Sequence, residues 1–321
     1  MGATFEVEGR TVFITGAARG IGAGAAERLH AKGANVALVG LEPDLLESLA
    51  ARLGDRAAAF EADVTDFTAL ERAVTGTVER FGSLDVAIAN AGIHAIGTLA
   101  DAPYEQVERV LEVNLQGVWR TDRAVLPHVI ANRGYLLNIA SLAAASHVPL
   151  MAPYSAAKAG VEGLSDSLRV ELARSGARVG CAYFGIIDTD LARTAKAHAS
   201  TEILEPLIPG FARRSVPLSL AVDAIERGVE RRSSRVWAPR WVGPALLARG
   251  ILQPVTEWRA MRSRRLTQAL DAVAADAEGL AAQDAELGIS GAAREGTSAG
   301  ASGTSAGAST RKDDVPLGSP R

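Results

Sequence analysis

The sequence predicts an α/β fold: a doubly wound parallel sheet, within a single domain, that carries helices on both faces. Short apolar or β-branched segments alternate with longer segments of helical periodicity from residue 11 to residue 238. The chain has 321 residues, of which 48% are hydrophobic, and can therefore bury one large core. Because parallel strands need helical crossovers, the alternation indicates one parallel sheet, whose ligands bind at the carboxyl ends of its strands.

Seven strands are predicted from the apolar and β-branched runs: Thr11–Thr15, Asn35–Val39, Ala57–Glu61, Leu84–Ala89, Gly134–Ile139, Arg178–Tyr183 and Arg235–Ala238. Apolar residues at three- and four-residue spacing predict helices between them, among them Pro43–Leu53, Leu70–Phe81 and Ala156–Ala173.

Charge and cysteine content exclude several classes of protein. The 34 Lys and Arg against 37 Asp and Glu give a net charge of −3, which excludes a chain that binds nucleic acid by overall charge. The single Cys181 forms no internal disulfide, and no metal site is predicted. No secretory leader is visible, and no apolar run reaches the roughly 18–20 residues of a spanning helix. We therefore expect a cytoplasmic protein.

A glycine-rich turn, Thr15-Gly16-Ala17-Ala18-Arg19-Gly20-Ile21-Gly22, follows the first predicted strand. Glycines let the backbone approach a pyrophosphate, towards which the next helix directs N–H groups and partial positive charge. A glycine turn that binds nothing is the alternative. Its place between strand and helix favours a Rossmann-type nucleotide site, with these candidate cofactor contacts: Gly16, Arg19, Gly20, Ile21 and Gly22.

Two further strand ends hold candidate cofactor contacts. Asp63 and Val64 follow the third strand, where the carboxylate could accept a hydrogen bond from an adenine amino group or, alternatively, cap a helix. Asn90, Ala91 and Gly92 end the fourth strand, where small residues would let a cofactor lie against the sheet or would simply form a turn.

The end of the second strand bears on the choice between NAD and NADP. NAD sites usually place an acid there, whereas NADP sites supply an arginine for the 2′-phosphate. This chain has Gly40-Leu41-Glu42, so the acid is missing at Gly40 and Glu42 could reach a ribose or start the next helix. Arg19 could face a 2′-phosphate or solvent. On balance these residues favour NADP over NAD.

Tyr154 and Lys158 open a helix behind Pro153. Four residues apart on a helix, the phenol and the ammonium share one face. A nearby cation favours the phenolate and is expected to bring a phenol with a pKa of about 10 into the range of a general base. Ser141, just after the fifth strand, could polarise a carbonyl or cap a helix. Asn114 interrupts an apolar stretch and could hold a water linked to Lys158 or bond to backbone.

Taken together, these motifs closely resemble the short-chain dehydrogenase/reductase family over about residues 8–240. The resemblance implies that Tyr154 is the catalytic acid/base and that Lys158 lowers its pKa while holding the nicotinamide ribose. It further implies that Ser141 binds the substrate oxygen and Asn114 a proton-relay water. The glycine turn, Asp63 and Asn90 would line the cofactor site.

One segment departs from the pattern of the family. After the sixth strand the family usually has Pro-Gly and then a threonine that contacts the nicotinamide carboxamide. Gly185 and Thr189 fit that pattern, whereas Phe184 replaces the proline and leaves the rigidity of the turn open. Thr189 is the last candidate cofactor contact.

Loops near the expected active centre are mostly apolar, which predicts an apolar alcohol or ketone as substrate. His94 and His147 are the polar exceptions. Either could bind a substrate group, and a solvent-facing histidine is the simpler interpretation of each. Residues 191–215 would cover the pocket, as in the family. The apolar loop residues are Ile93, Leu142, Val148, Pro149, Leu150, Met151, Phe184, Ile186 and Ile187.

The sequence divides into a dinucleotide-binding catalytic domain over 1–239, a helical C-terminal extension over 240–287 and a disordered Gly/Ser/Ala-rich tail over 288–321. Tryptophan and arginine in the extension suit a membrane surface, and a helical pair packed on the core or on a partner subunit is the simpler alternative. Over residues 209–265, twelve arginines stand against four acidic residues.

The most specific hypothesis is an NAD(P)-dependent oxidoreductase that interconverts a secondary alcohol and a carbonyl compound by hydride transfer. Two alternatives remain: a catalytically silent nucleotide-binding regulatory or scaffold protein, and a peripheral membrane protein anchored by residues 240–287. The expected partners are a small-molecule substrate and, by likeness to the family, further copies of the chain in a homo-oligomer.

Overall fold

The computed structural model of the protein describes residues 4–100 and 102–275. Seven parallel strands form one sheet in the order β3-β2-β1-β4-β5-β6-β7, which confirms the doubly wound Rossmann-type fold. The strands are β1 (Thr11–Thr15), β2 (Asn35–Gly40), β3 (Ala57–Glu61), β4 (Val86–Ala89), β5 (Tyr135–Ile139), β6 (Arg178–Phe184) and β7 (Arg235–Ala238).

The sheet is apolar on both faces because helices cover both faces, as parallel sheets require. β1, β4 and β5 are buried along their whole length. The chain runs outward from β1 to β3 and then returns to β4, so the strand order reverses between β1 and β4. A crevice opens at such a reversal, and ligands bind in it beyond the carboxyl ends of the strands.

The helices of the main body are α1 (Gly20–Ala31), α2 (Pro43–Leu53), α3 (Phe67–Phe81), α4 (Tyr104–Leu111), α5 (Gly117–Ala131), α6 (Ala152–Glu171), α7 (Asp190–Ala197), α8 (Ala199–Leu204) and α9 (Leu218–Arg231). One π-helical turn, Glu112–Gln116, joins α4 to α5, and short 3₁₀ turns cover Leu142–Ala144 and Glu205–Leu207.

The boundaries of several elements differ from the prediction by a few residues. α3 begins three residues early because the Asp66 carboxylate caps it, accepting a hydrogen bond from the Ala69 N–H at 3.1 Å. α6 begins at Ala152 rather than Ala156, with Pro153 in its first turn. β4 begins at Val86, two residues later than predicted, and the carboxylate of Asp85 before it accepts a hydrogen bond from the Thr11 N–H at 3.0 Å. These shifts leave the number and order of the strands unchanged.

Three helices follow β7: α10 (Val242–Leu247), α11 (Arg249–Met261) and α12 (Arg264–Ala275). Ala269 and Val273 of α12 are buried against Leu204 of α8 and against Ile96 and Leu150 of two loops. The described part of the extension is therefore helical. Its α12 packs on residues 191–215, the covering segment, whereas Val242 and Leu246 of α10 pack in a core cluster with Val161 and Tyr183. Within the described ranges, no helix has the length and apolar character to cross a bilayer. Residues 276–287 and the tail predicted over 288–321 lie outside the described residues.

Candidate active site

The glycine turn after β1 has a backbone that only glycine adopts easily. Gly16 and Gly20 have φ values of +65° and +57°, in the left-handed region. A Cβ at Gly22 would lie 2.2 Å from the Gly16 carbonyl oxygen, so α1 can pack this closely on the strand only with glycine there. α1 starts without a side-chain cap and without acidic residues in its first turn, and Ile21 is the second of its residues. Its first N–H groups are therefore suited to an anion.

Asn90 has a different contact from the one predicted. Its amide nitrogen donates to the carbonyl oxygens of Thr15 at 2.9 Å and Gly16 at 3.1 Å. Its backbone N–H donates to the Thr15 hydroxyl at 3.0 Å. Ala91 lies directly against Gly16, since a Cβ at position 16 would come within 2.9 Å of the Ala91 Cα. The Asn90 side chain thus holds the glycine turn in place beneath the expected cofactor.

Asp63 is engaged in hydrogen bonds from both sides. One carboxylate oxygen accepts from the Thr65 N–H at 2.8 Å, and the other accepts from Arg109 Nη2 at 2.9 Å. Burial raises the pKa of the carboxyl, but the Thr65 N–H and the Arg109 guanidinium outweigh it and hold the pKa of Asp63 below its ordinary value. Val64 is buried beside Val113. Asp63 does not cap α3, which Asp66 caps, and its contact with an adenine amino group stays a prediction.

Arg19 is not free at the mouth of the crevice. Its Nη2 lies 2.6 Å from Oε1 of Glu42, and both side chains are largely exposed. The pair joins the glycine turn to the end of β2, where the residues are expected to determine the preference for NAD or NADP. Packing does not require glycine at position 40, because a Cβ there would make only ordinary van der Waals contacts with Leu46, at 3.7 and 3.8 Å.

Ser141, Tyr154 and Lys158 come together beyond the end of β5. The Lys158 ammonium, almost fully buried, donates to the Ile139 carbonyl oxygen at 2.8 Å and lies 5.7 Å from the centroid of the Tyr154 ring. The Ser141 hydroxyl lies near enough to the Tyr154 phenol to influence its pKa. Ser141 also accepts from the Ala143 N–H at 3.1 Å. The phenol and the ammonium therefore converge as the spacing on the helix predicts.

Burial shifts the pKa of both the phenol and the ammonium. Burial raises the pKa of Tyr154 above its ordinary value, and the nearby Ser141 hydroxyl opposes this. Burial also lowers the pKa of Lys158 to about 8. The Lys158 ammonium donates its hydrogen bond to the Ile139 carbonyl oxygen. The lowering of the Tyr154 pKa by Lys158 stays a prediction.

Asn114 lies in the π-helical turn and bonds to backbone. Its Oδ1 accepts from the Ile93 N–H at 3.2 Å, and its Nδ2 donates to the carbonyl oxygens of Ile93 and Val110 at 2.8 and 2.9 Å. A Cβ at Gly92 would lie 2.7 Å from Asn114 Oδ1 and 3.6 Å from Lys158 Nζ. Gly92 therefore allows the amide and the ammonium to approach the same point. The water between them stays a prediction.

Thr189 lies against the glycine turn. A Cβ at Gly20 would be 3.6 Å from the Thr189 methyl group, and the Thr189 hydroxyl caps α7 at the Ala192 N–H. The missing proline before Gly185 leaves a firmly held turn, because the Gly185 N–H donates to the Ala238 carbonyl oxygen at 2.9 Å. Phe184 itself is a core residue, 4% exposed.

The histidines near the site differ from each other. His147 is exposed, as expected, whereas His94 is 8% exposed, so its prediction as a solvent-facing residue is wrong. Burial, together with the neighbouring His198, lowers the pKa of His94 to about 4. Among the described residues, the His94 Nδ1 has no hydrogen-bond partner. A neutral imidazole with an unused nitrogen therefore lies beside the covering segment.

Sequence reasoning did not find two groups next to the site. Glu162 lies one turn beyond Lys158 on α6 and accepts a hydrogen bond from Arg249 of α11. In the sequence, only its four-residue spacing from Lys158 indicates that it shares a helix face with that residue. His198 belongs to the covering segment, whose position no local pattern indicates. Of the expected pocket residues, Leu150 and Met151 pack with α8 and α12, whereas Phe184 and Ile187 belong to the central core.

The sheet, the glycine turn at its strand reversal and the Ser141, Tyr154 and Lys158 group define a Rossmann-type oxidoreductase. The family model described as short chain dehydrogenase matches residues 10–200. The chain belongs to this family.

Named relatives and a solved structure are consistent with this membership. Over 228 residues, the chain is 33% identical to the oxidoreductase UcpA of Salmonella typhimurium, covering 70% of this chain and 86% of that protein. It is 35% identical to a trans-4-hydroxycyclohexanecarboxylate dehydrogenase of Sinomonas cyclohexanicum over 58% of this chain and 75% of the relative. A 3-ketoacyl-(acyl-carrier-protein) reductase from Brucella melitensis, solved with NADH, superimposes with a TM-score of 0.64 at 28% identity, covering 72% of this chain and 97% of that one.

Proposed function

We propose that the protein is an NAD(P)-dependent oxidoreductase that interconverts a secondary alcohol and a carbonyl compound. The observation that carries the proposal is the convergence of Ser141, Tyr154 and Lys158 beside the strand reversal. A catalytically silent binding protein would have no use for a buried ammonium beside a phenol, since burying a charge costs free energy.

We infer that the crevice binds a nicotinamide dinucleotide. The first N–H groups of α1 have no side-chain cap and can bind a pyrophosphate, and Thr189 lies against the glycine turn. By likeness to the family, we assign Thr189 the contact with the nicotinamide carboxamide. When bound, the nicotinamide supplies the hydride chemistry. We propose NADP as the preferred form, because Gly40 offers no carboxylate to a ribose and Arg19 is the nearby cation. Glu42 must then release Arg19 for the 2′-phosphate to bind.

Each polar side chain at the reacting end has a separate role in this proposal. The Ser141 hydroxyl donates a hydrogen bond to the substrate oxygen, and the Tyr154 phenol exchanges a proton with that oxygen. Lys158 holds the ribose hydroxyls and supplies positive charge. Asn114 holds a relay water near Lys158. These roles follow from the likeness to the family and from the contacts described above.

We propose an apolar or alicyclic alcohol as the substrate. Leu150 and Met151 pack with Leu204 of the covering segment in an apolar cluster, and His94, whose pKa is lowered by burial and by His198 of the same segment, is uncharged at neutral pH. The relative from Sinomonas cyclohexanicum is named for a hydroxycyclohexane carboxylate, a ring-bearing secondary alcohol.

The test is the change in absorbance of NADPH and NADH with a panel of cyclic and open-chain ketones and alcohols. We expect turnover with apolar members and a loss of about 10²–10⁴-fold in kcat for Tyr154→Phe. Tyr104→Phe, which removes an exposed phenol on α4, is the matched control and should keep full activity. Turnover that survives in Tyr154→Phe would overturn the proposed mechanism.

A further inference from the structure

The apolar face of α11 is exposed to solvent, whereas an amphipathic helix of a globular protein usually buries its apolar face. Its apolar residues share one face at three- and four-residue spacing and are exposed: Leu247 before it by 86%, Ile251 by 73%, Val255 by 49%, Trp258 by 54% and Met261 by 71%. No residue of α11 is buried. We call these five residues the outer stripe.

The opposite face of α11 makes the polar contacts with the body of the protein. The Arg249 guanidinium binds the Glu162 carboxylate of α6. The Gln253 side-chain oxygen accepts a hydrogen bond from the His147 N–H at 3.0 Å. These contacts fix the rotation of the helix, so the outer stripe faces away from the described body. A contiguous exposed apolar stripe of this kind marks an interaction surface.

Arginines accompany the outer stripe. Residues 240–265 contain a single acidic residue, Glu257, which accepts a hydrogen bond from Gln253 Nε2 at 2.7 Å. The Arg262 guanidinium lies 4.5 Å from the Trp258 ring centroid, so cation and indole form one amphipathic unit. The arginines of this range are Arg240, Arg249, Arg259, Arg262, Arg264 and Arg265.

We propose that α11 docks with its outer stripe on the surface of an anionic lipid bilayer. Apolar side chains and an indole enter the boundary between headgroups and acyl chains, while arginines bind the lipid phosphates. The charges favour lipid over a second copy of the chain. Arg249 is already paired with Glu162. Two such helices would bring the remaining arginines of both copies together with only one Glu257 each, whereas anionic headgroups can neutralise these arginines.

The docking surface is connected to the active site. Gln253 holds the loop that follows Ser141, and α12 packs on α8 of the covering segment. A docked protein would therefore keep this loop and the covering segment near the bilayer, where apolar substrates concentrate. This consequence rests on the proposed function, whereas the docking itself does not.

The experiment is co-sedimentation of the full chain with vesicles of phosphatidylcholine containing phosphatidylglycerol, compared with vesicles of phosphatidylcholine alone. We expect binding to the anionic vesicles, a loss of about tenfold or more for the double variant Ile251→Ser/Trp258→Ser, and a loss of the anionic preference for Arg262→Ala/Arg265→Ala. Val170→Ser, which removes an exposed apolar residue of α6, is the control and should bind normally.

Two further measurements separate the outcomes. Unchanged thermal melting and unchanged turnover of a water-soluble ketone would show that the stripe variant is folded, so a loss of vesicle binding would support docking. The proposal is overturned by equal sedimentation of the wild type and the stripe variant. It is also overturned if light scattering shows a dimer that Ile251→Ser dissociates while no vesicles are bound, since a second copy then covers the stripe.

Discussion

The Arg249 guanidinium contacts both carboxylate oxygens of Glu162, with Nη1 at 2.8 Å from Oε1 and 2.7 Å from Oε2. The Tyr183 hydroxyl donates to the same carboxylate at 3.0 Å. Glu162 is nearly buried and lies four residues after Lys158, on the helix that carries the candidate catalytic residues. The ion pair therefore fastens the C-terminal extension to that helix.

Replacing Arg249 by Met should destabilise the protein by about 2–4 kcal/mol, because it leaves a buried carboxylate without its cation. The free energy of unfolding from urea titration measures the effect. In the double variant Arg249→Met/Glu162→Gln we expect most of the loss to be recovered, since no buried charge remains. Arg259→Met on the same helix is the control. Equal losses in the single and double variants would show that the pair is not coupled.

Lys158→Met should stabilise the protein while it inactivates it. The folded-state pKa of about 8 lies below the ordinary 10.5, so the unfolded chain holds more protons between these values. The free energy of unfolding of the wild type therefore rises with pH from about 8 to about 10.5. Below pH 8 the variant should gain about 1–2 kcal/mol, after the loss of the hydrogen bond to Ile139 is counted.

Thermal melting of both proteins across this pH range is the measurement. The advantage of Lys158→Met should shrink as pH rises and disappear near pH 10. Activity assays should show a loss of at least about 10²-fold in the variant. A variant that is less stable than wild type at pH 7 would contradict the prediction, as would one that keeps its activity.

Asp122 is a buried carboxyl whose protonation should make the stability pH-dependent. Burial raises its pKa to about 8, although a hydrogen bond from Asn138 Nδ2 at 2.9 Å opposes this. Asp122 Oδ1 and Asn138 Oδ1 both have no partner among the described residues, and a proton on Asp122 could join them. We therefore expect a neutral Asp122 at neutral pH.

Since the folded-state pKa of Asp122 is raised, the folded state holds more protons between about pH 4 and pH 8. This contribution to stability is fully present below about pH 4 and is lost as pH rises to 8. Asp122→Asn keeps the shape and removes the titration. Its free energy of unfolding relative to wild type, measured by urea titration, should therefore rise with pH in this range, by about 1–3 kcal/mol at pH 8. Asp66→Asn, a capping residue at the surface, is the control. A constant difference across pH would contradict the assignment.

The Arg19–Glu42 pair predicts how the cofactor preference responds to mutation. Glu42→Gln releases Arg19 and should improve kcat/KM for NADPH by about tenfold, because the 2′-phosphate no longer competes with a carboxylate. Arg19→Ala should lower kcat/KM for NADPH by about tenfold or more and leave NADH nearly unchanged. Steady-state kinetics with both cofactors measure this. If wild type prefers NADH and Glu42→Gln weakens NADH binding, Glu42 holds the ribose and the preference for NADP is wrong.

Local chemistry by itself determined the fold class, the strand sequence and the members of the candidate site. The glycine turn needs left-handed φ values that only its glycines adopt easily, and Tyr154 and Lys158 share a face because of helix geometry alone. Strands that are buried on both faces have continuous apolar sequences, so these runs identify the strands without knowledge of the neighbouring strands. Such features depend on neighbours within a few residues, so the sequence contains them directly.

Tertiary structure decided which partners the polar groups have. Asn90 holds the glycine turn, Arg19 pairs with Glu42 and His94 is buried, because segments distant in the sequence meet only in the folded chain. The pKa of Tyr154 follows the same rule, since desolvation depends on everything packed around the phenol. The polar face of α11 contacts the body of the protein for a similar reason. Glu162 binds Arg249 of this face and the His147 N–H binds Gln253, and no pattern within α11 itself indicates these two partners.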